Sequence, residues 1–133
     1  MNPWLITAGL CTLLIGVVHS VMGEQRIFRH LRRGGWVPTR GEPLMREYQL
    51  RIVWGSWHLV TCFGLGVAAL LLLAARPDVP VALRDGMVAC AAGVMLLAAV
   101  LVALATRGRH LAWLALLLTS ALALAGVCLL YTS

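Results

Sequence analysis

The chain has 133 residues, of which 61% are hydrophobic and 12% are charged. Soluble domains average about 25% charged residues, so the composition excludes an ordinary water-soluble domain and indicates a protein of the lipid bilayer. The net charge is +6 and every basic residue is an arginine. A chain of this length is expected to form a single domain.

Four apolar stretches are each about as long as the roughly 20 residues that a helix needs to cross the hydrocarbon core. They have no alternating pattern, and lipid cannot hydrogen-bond an open backbone, so each is predicted to be a helix. The first lacks a basic start and a cleavage site, which favours a retained helix over a removed signal. The predicted spans are 4–22, 52–75, 87–106 and 111–131, with a long first loop over 23–51.

The first span carries one stripe of small or polar residues at spacings of three and four. Membrane helices associate through such faces, so we expect this stripe to contact another helix. Its last polar member inside the span, His19, lies seven residues before Arg26. The stripe consists of Gly9, Thr12, Gly16, His19 and Gly23.

Loop one holds most of the charge and is predicted to contain an interfacial amphipathic helix over 24–33. Its apolar side would carry Ile27, Phe28 and Leu31. The arginines around the other side predict contact with anionic lipid head groups: Arg26, Arg29, Arg32 and Arg33. The second helix is predicted to begin near Pro43, with Glu47 and Arg51 forming an ion pair.

The second span repeats the small-residue stripe, here with Arg51, Gly55, His58, Cys62 and Gly66. His58 lies seven residues after Arg51. Because consecutive spans run antiparallel, the matched offsets put both imidazoles about 10 Å below the membrane boundary. The two stripes therefore predict a contact between helices one and two, and an encounter of His19 with His58. Polar groups at such a depth are functional-site candidates.

The predicted fold is an all-α, up-down-up-down four-helix membrane bundle with a cytoplasmic amphipathic helix in loop one. Loops one and three together carry nine of the eleven arginines. The positive-inside rule places these loops in the cytoplasm and both termini outside, in a bacterial inner membrane. The positive charge then reflects topology and lipid contact, not nucleic-acid binding. A homo-dimer or higher oligomer is an open alternative to a monomer.

The histidine pair supports several functions. One is a site for a transition metal or b-type haem, with Cys62 as a further ligand and electron or proton transfer as its use. Glu24, Arg51, Trp54 and Trp57 would form its rim and access. The alternatives are a proton relay, recognition of the polar head of a lipid or quinone, and an oligomeric module in which the histidines only pack and hydrogen-bond. Ser20 and Thr61 are near enough in sequence to be partners in that last case.

Other chemistry has little support in the sequence. There is no phosphate-binding glycine loop, no GxSxG and no pair of carboxylates within a span, which argues against hydrolase and phosphotransferase activity. The four cysteines fall one per span without a CxxC, as is typical of small core side chains. Whether the protein is an enzyme is left open by these residues.

The stretch from His19 to Arg26, together with Arg51–Trp54 and Trp57–Thr61, resembles a group of small uncharacterised bacterial four-helix integral membrane proteins. These share a His-Ser-x-x-Gly-Glu stretch in helix one and a Trp-His pair in helix two. The resemblance covers about the first half of the chain. It implies a four-helix membrane fold and implies no activity.

Overall fold

The computed structural model describes residues 1–129, and within that range the chain is helical with no strand. Three of the helices are long and apolar enough to cross a membrane, whereas the last is a shorter apolar helix of 17 residues. The predicted all-α class is confirmed. The predicted fourth span extends to residue 131, and its last two residues lie outside the described range. The helices are α1 (Pro3–Arg26), α2 (Glu47–Ala74), α3 (Val81–Ala105) and α4 (Ala112–Cys128).

The amphipathic helix predicted over 24–33 is wrong. Helix α1 continues through Arg26, and Ile27 then leaves the helical region with φ −121° and ψ −68°. Only a four-residue 3₁₀ helix, Phe28–Leu31, follows it. The physical reason lies in Phe28, which is 1% exposed and meets the indole of Trp57 edge to face. The ring is therefore buried against protein rather than held at a membrane surface.

Helix α2 begins at Glu47, four residues later than the position predicted from Pro43. The carbonyl of Gly41 instead accepts hydrogen bonds from the amides of Leu44 and Met45, which form a turn before the helix. The predicted ion pair at the start of the helix is confirmed, with Arg51 2.6 Å from Glu47. Both side chains are more than half exposed, so the pair contributes little to stability.

The described residues divide into two compact units, 1–15 with 65–129, and 16–64. The core of the first unit consists largely of alanines, which allow helix backbones to approach closely. A hydrogen bond joins α3 to α4 within it, where the buried hydroxyl of Ser120 donates to the carbonyl of Ala92 at 2.9 Å. The core residues are Leu5, Ala8, Leu71, Ala74, Ala75, Val88, Ala91, Ala92 and Ala123.

Asn2 caps α1 in the first unit. Its side-chain oxygen accepts hydrogen bonds from the amides of Trp4 and Leu5, and its amide nitrogen donates to the carbonyl of Gly126 at 2.6 Å. The backbone amide of Asn2 also donates to the carbonyl of Ala75. One residue therefore joins the start of α1 to the end regions of α2 and α4.

The turn between α2 and α3 carries an exposed ion pair of Arg76 and Asp78. Two hydrogen bonds from the guanidinium hold the pKa of the Asp78 carboxyl below its usual value. Arg84 at the start of α3 donates to the carbonyl of Val79 at 3.1 Å. These contacts order a short connection that contains two prolines.

The small-residue stripe of α1 faces protein as predicted. In the first unit a Cβ on Gly9 would lie 2.8 Å from the side chain of Leu72, and in the second unit a Cβ on Gly23 would overlap the indole of Trp57. The stripe predicted on α2 holds at His58, which contacts Ser20 of α1, and is wrong at Gly55 and Gly66, which face open space. Large side chains of α2 fill the grooves left by the glycines of α1, so small residues were needed on only one of the two helices.

A candidate polar site around His58 and Glu24

The second unit places a set of polar side chains on facing sides of α1 and α2. Ser20 and Glu24 are four residues apart on α1, which puts them on the same side of that helix. Trp54, His58 and Thr61 share one side of α2 at spacings of four and three. The periodicity of the two helices therefore brings a hydroxyl, a carboxylate, an imidazole and an indole together.

A chain of hydrogen bonds fixes the His58 ring. Its Nδ1 lies 2.8 Å from the hydroxyl of Ser20, and that hydroxyl lies 2.8 Å from the hydroxyl of Thr61. The side chain of His58 is 29% exposed. These contacts are the hydrogen bonds expected if the histidine packs against serine and threonine, and they also orient the other ring nitrogen.

Glu24 is the acidic centre of the cluster. Its carboxylate contacts the guanidinium of Arg32 at 2.5 Å and accepts a long hydrogen bond of 3.4 Å from the indole of Trp54. The same carboxylate oxygen that faces Trp54 is 3.8 Å from Nε2 of His58. Arg32 is positioned by the loop before α2, where the carbonyl of Leu31 accepts hydrogen bonds from the amides at residues 39 and 40.

Aromatic rings enclose the two histidines. The indole of Trp57 stacks on the His19 ring with 4.3 Å between centroids and 7° between planes, and it donates to the carbonyl of His19 at 3.0 Å. Trp54 meets His58 edge to face at 5.0 Å, and Phe28 lies 6.1 Å from the same ring. The predicted encounter of His19 with His58 stays a prediction, although both join this cluster.

A shallow, widely open pocket of about 370 Å³ lies against the cluster. His58 and Glu24 are its titratable residues, and most of its wall consists of carbon atoms. Its lining residues are Ser20, Val21, Glu24, Gln25 and His58. The arrangement can hold a small molecule with a mostly apolar body and one polar group.

The structure brings together five of the residues singled out from the sequence: His19, Glu24, Trp54, Trp57 and His58. Arg51 is exposed beside Glu47, and the side chain of Cys62 is exposed on α2.

Among the arginines of loop one, Arg32 pairs with Glu24 within the cluster, whereas Arg26, Arg29 and Arg33 are exposed. Sequence reasoning missed this pairing and Gln25, and it assigned Phe28 to the membrane-facing side of a helix. On a continuous helix Glu24 and Arg32 would lie about 12 Å apart along the axis, so only the turn after Ile27 could have revealed their contact.

The metal or haem site stays a prediction. Across residues 1–129 no group of three or more histidine, cysteine, aspartate or glutamate side chains is arranged to hold a metal ion. The set of His19, His58 and Cys62 is thus not assembled as a three-ligand centre there. All four cysteines are free thiols, and Cys62, Cys90 and Cys128 are exposed rather than in the core where they were predicted.

Comparison with protein-family models, with curated proteins and with solved structures finds no match for this chain.

Proposed function

We propose that the chain is an integral membrane protein whose pocket beside His58 and Glu24 binds the polar head of a membrane-soluble small molecule. The observation that carries the proposal is the pocket itself, which is lined by His58 and Glu24 and is walled mostly by carbon. Its volume of about 370 Å³ falls within the range of about 300–1,000 Å³ that is usual for small-molecule sites.

Membrane insertion is supported by the surfaces of the three long helices. In each, no more than 28% of the most apolar 18-residue window is buried inside the protein. Apolar side chains that face outward over such lengths would be unstable in water, and soluble proteins seldom expose continuous apolar patches of that size. A hydrocarbon environment satisfies these surfaces without further protein contacts.

The proposed topology is up-down-up-down in a bacterial inner membrane, with loops one and three in the cytoplasm and both termini outside. The arginine distribution carries this orientation. The exposed Arg26, Arg29 and Arg33 would then meet anionic head groups on the cytoplasmic face. A second copy of the chain is a further candidate partner for the outward helix faces.

The position of the cluster favours a ligand over a purely structural role. Polar groups within membrane-spanning segments are costly, and alanine or leucine would fill the same volume without that cost. Nε2 of His58 and Nε of Arg32 are buried and have no hydrogen bond to another described residue. A bound polar group can satisfy such atoms, whereas helix contacts alone leave them unsatisfied.

Mass spectrometry of the protein released from detergent or nanodiscs tests the proposal. We expect a lipid-soluble molecule in near-stoichiometric amount in the wild type and in His30→Gln, and its loss in His58→Gln. His30 is the matched control because it is an exposed histidine that does not line the pocket. Equal retention in both variants would overturn the proposal. A Soret band or bound metal lost in His58→Gln would overturn it in favour of the metal or haem site.

A further inference from the structure

Two loop tips between α1 and α2 carry the most exposed large apolar side chains of residues 1–129. Trp36 is 89% exposed and Leu44 is 90% exposed. Both lie between two candidate membrane spans, the first of which ends at Leu31 and the second of which begins at Glu47. Outward leucines of the long helices can face acyl chains, but these two side chains lie outside those helices. They therefore need a different surface to cover them.

Backbone hydrogen bonds give the first tip its shape. The carbonyl of Leu31 accepts hydrogen bonds from the amides at residues 39 and 40 at 2.9 and 2.8 Å, which closes residues 32–38 into a loop. Gly34 within this loop has a φ of +86°, in the left-handed region that favours glycine. Trp36 is the second residue after Gly34, so its exposed indole belongs to a loop with pinned ends.

A tight turn forms the second tip. The carbonyl of Gly41 accepts hydrogen bonds from the amides of Leu44 and Met45 at 3.1 and 2.8 Å. The backbone amide of the next residue, Arg46, donates to Oε1 of Gln49 at 2.9 Å, which links the turn to the start of α2. Leu44 is therefore held on an ordered turn, with its side chain exposed.

Arginines without acidic partners flank both tips. Arg33 precedes Trp36 by three residues. Arg40 and Arg46 lie on either side of Leu44 in the sequence. All three arginines are exposed, and none forms an ion pair within residues 1–129. Apolar side chains beside unpaired positive charge match the interface of an anionic bilayer, in which negative head groups cover an apolar interior.

We propose that the two tips dock onto the anionic lipid surface of the membrane that holds α1 and α2. The apolar side chains enter the head-group region, and the arginines contact the negative head groups. This inference rests on the proposed membrane insertion and adds the recognition of lipid charge by loop one. The residues that carry it are Arg33, Trp36, Arg40, Leu44 and Arg46.

Tethering favours a lipid surface over a protein partner. Both ends of residues 32–46 continue into candidate spans, and a chain reaches no more than about 3.5 Å per residue, so the tips stay near the bilayer. A tethered surface acts at high effective concentration, whereas an acidic protein would have to bind at its own concentration. Tryptophan is enriched at membrane interfaces. Each arginine near an anionic surface contributes about fivefold to binding, and three contribute about a hundredfold.

Fluorescence quenching in reconstituted vesicles tests the docking. In the full chain with its four native cysteines replaced, Trp36→Cys or Leu44→Cys carries an environment-sensitive fluorophore. The vesicles contain phosphatidylcholine alone or with phosphatidylglycerol, and the quencher is a lipid with a shallow spin label. We expect quenching to be at least about twofold stronger with phosphatidylglycerol, and we expect high salt to remove the difference. Pro77→Cys is the control site, because Pro77 is exposed in a turn whose Arg76 is paired, and its quenching should depend little on lipid charge.

Removal of the positive charges separates the contribution of the arginines from that of the apolar tips. The combined substitutions Arg33→Gln, Arg40→Gln and Arg46→Gln should abolish the dependence on phosphatidylglycerol. The matched control combines Arg107→Gln with Arg109→Gln, which lie exposed in the turn between α3 and α4, and it should retain the dependence. The salt series uses protein with all its arginines, so it tests the charge effect even if the triple variant fails to fold.

A label on the outward face of α2 separates the outcomes. Leu59 is 52% exposed, so a fluorophore at Leu59→Cys should be quenched by a lipid with a deep spin label in both kinds of vesicle. If that label is quenched while both tips remain in water, docking is overturned and membrane insertion stands, which would leave the tips for a protein partner. If it is not quenched, the proposed membrane insertion fails as well. Equal quenching of the tips with and without phosphatidylglycerol overturns the recognition of anionic lipid.

Discussion

His58 and Glu24 show how single side chains acquire a function from neighbours that also hold the fold together. Ser20 and Thr61 orient the imidazole, and Arg32 and Trp54 orient the carboxylate. Both residues also line the pocket. A site built in this way is preorganised, because the ligand does not have to order the side chains that receive it.

Gly23 is the residue on which the aromatic part of this arrangement depends. A side chain there would overlap the indole of Trp57, which is held by its stack on His19 and its hydrogen bond to the carbonyl of His19. We expect Gly23→Ala to destabilise the protein by about 1–3 kcal/mol, as overpacking of a close contact does. Thermal unfolding in detergent, followed by circular dichroism, measures the change.

The control for this substitution is Gly55→Ala on α2, where nothing lies within 4 Å of the added Cβ. We expect it to be neutral or slightly stabilising, because alanine has a higher helix propensity than glycine. A Gly23→Ala protein as stable as Gly55→Ala would show that the indole can move aside without cost.

At the scale of helices, the ends of α1 have different supports. Its start is capped by Asn2, which also donates to the carbonyl of Gly126. The helix ends before Ile27, where the chain turns and buries Phe28. The polar cap satisfies backbone amides that a helix start leaves without partners, whereas the buried ring contributes apolar packing.

Removal of the Asn2 side chain should remove hydrogen bonds to both α1 and α4. Asn2→Ala loses the cap of α1 and the bond to Gly126, and we expect a loss of about 1–2 kcal/mol of unfolding free energy. Thr7→Ala is the control, since the hydroxyl of Thr7 only bonds back to its own helix at an exposed position. The prediction fails if the two variants unfold at the same denaturant concentration.

Hydrophobic length was sufficient to predict the helices, because a run of about 20 apolar residues has few other stable conformations in lipid. The faces by which the helices contact one another were harder to predict. The stripe of α1 was predicted correctly from its glycines, but Gly55 and Gly66 on α2 face open space. Small residues on one helix accept large side chains from another, so a second stripe of small residues was no guide to the contacting face.

Helical spacing predicted the part of the candidate site that lies on two regular helices. Glu24, Trp54, Trp57 and His58 were recognised from their positions on two helices. Arg32 was assigned to lipid contact, because its arginine neighbours share one side of a hypothetical helix that the chain does not form. Its pairing with Glu24 depends on the turn at Ile27, and a buried aromatic ring that breaks a helix leaves no periodic signal.

At the scale of the whole molecule, the uneven distribution of arginine and the outward apolar surfaces lead to the same proposal. Outward-facing leucines and valines are best satisfied by hydrocarbon, and the seven arginines between residues 26 and 51 by water or anionic head groups. A single orientation in a bilayer satisfies both. That orientation would place the pocket beside Glu24 toward the cytoplasmic side, where a lipid-soluble ligand can enter laterally from the membrane.

Cysteine labelling tests this orientation directly. In a background with all four native cysteines replaced, Pro77→Cys reports on the turn between α2 and α3, and Arg109→Cys reports on the turn between α3 and α4. Both positions are exposed. Because the second turn carries unpaired arginines and the first carries an arginine paired with Asp78, we expect a membrane-impermeant maleimide to label Pro77→Cys in intact spheroplasts and Arg109→Cys only after lysis. The reverse pattern would invert the topology and put the pocket on the outer side, and labelling of both from outside would mean that α3 does not cross the membrane.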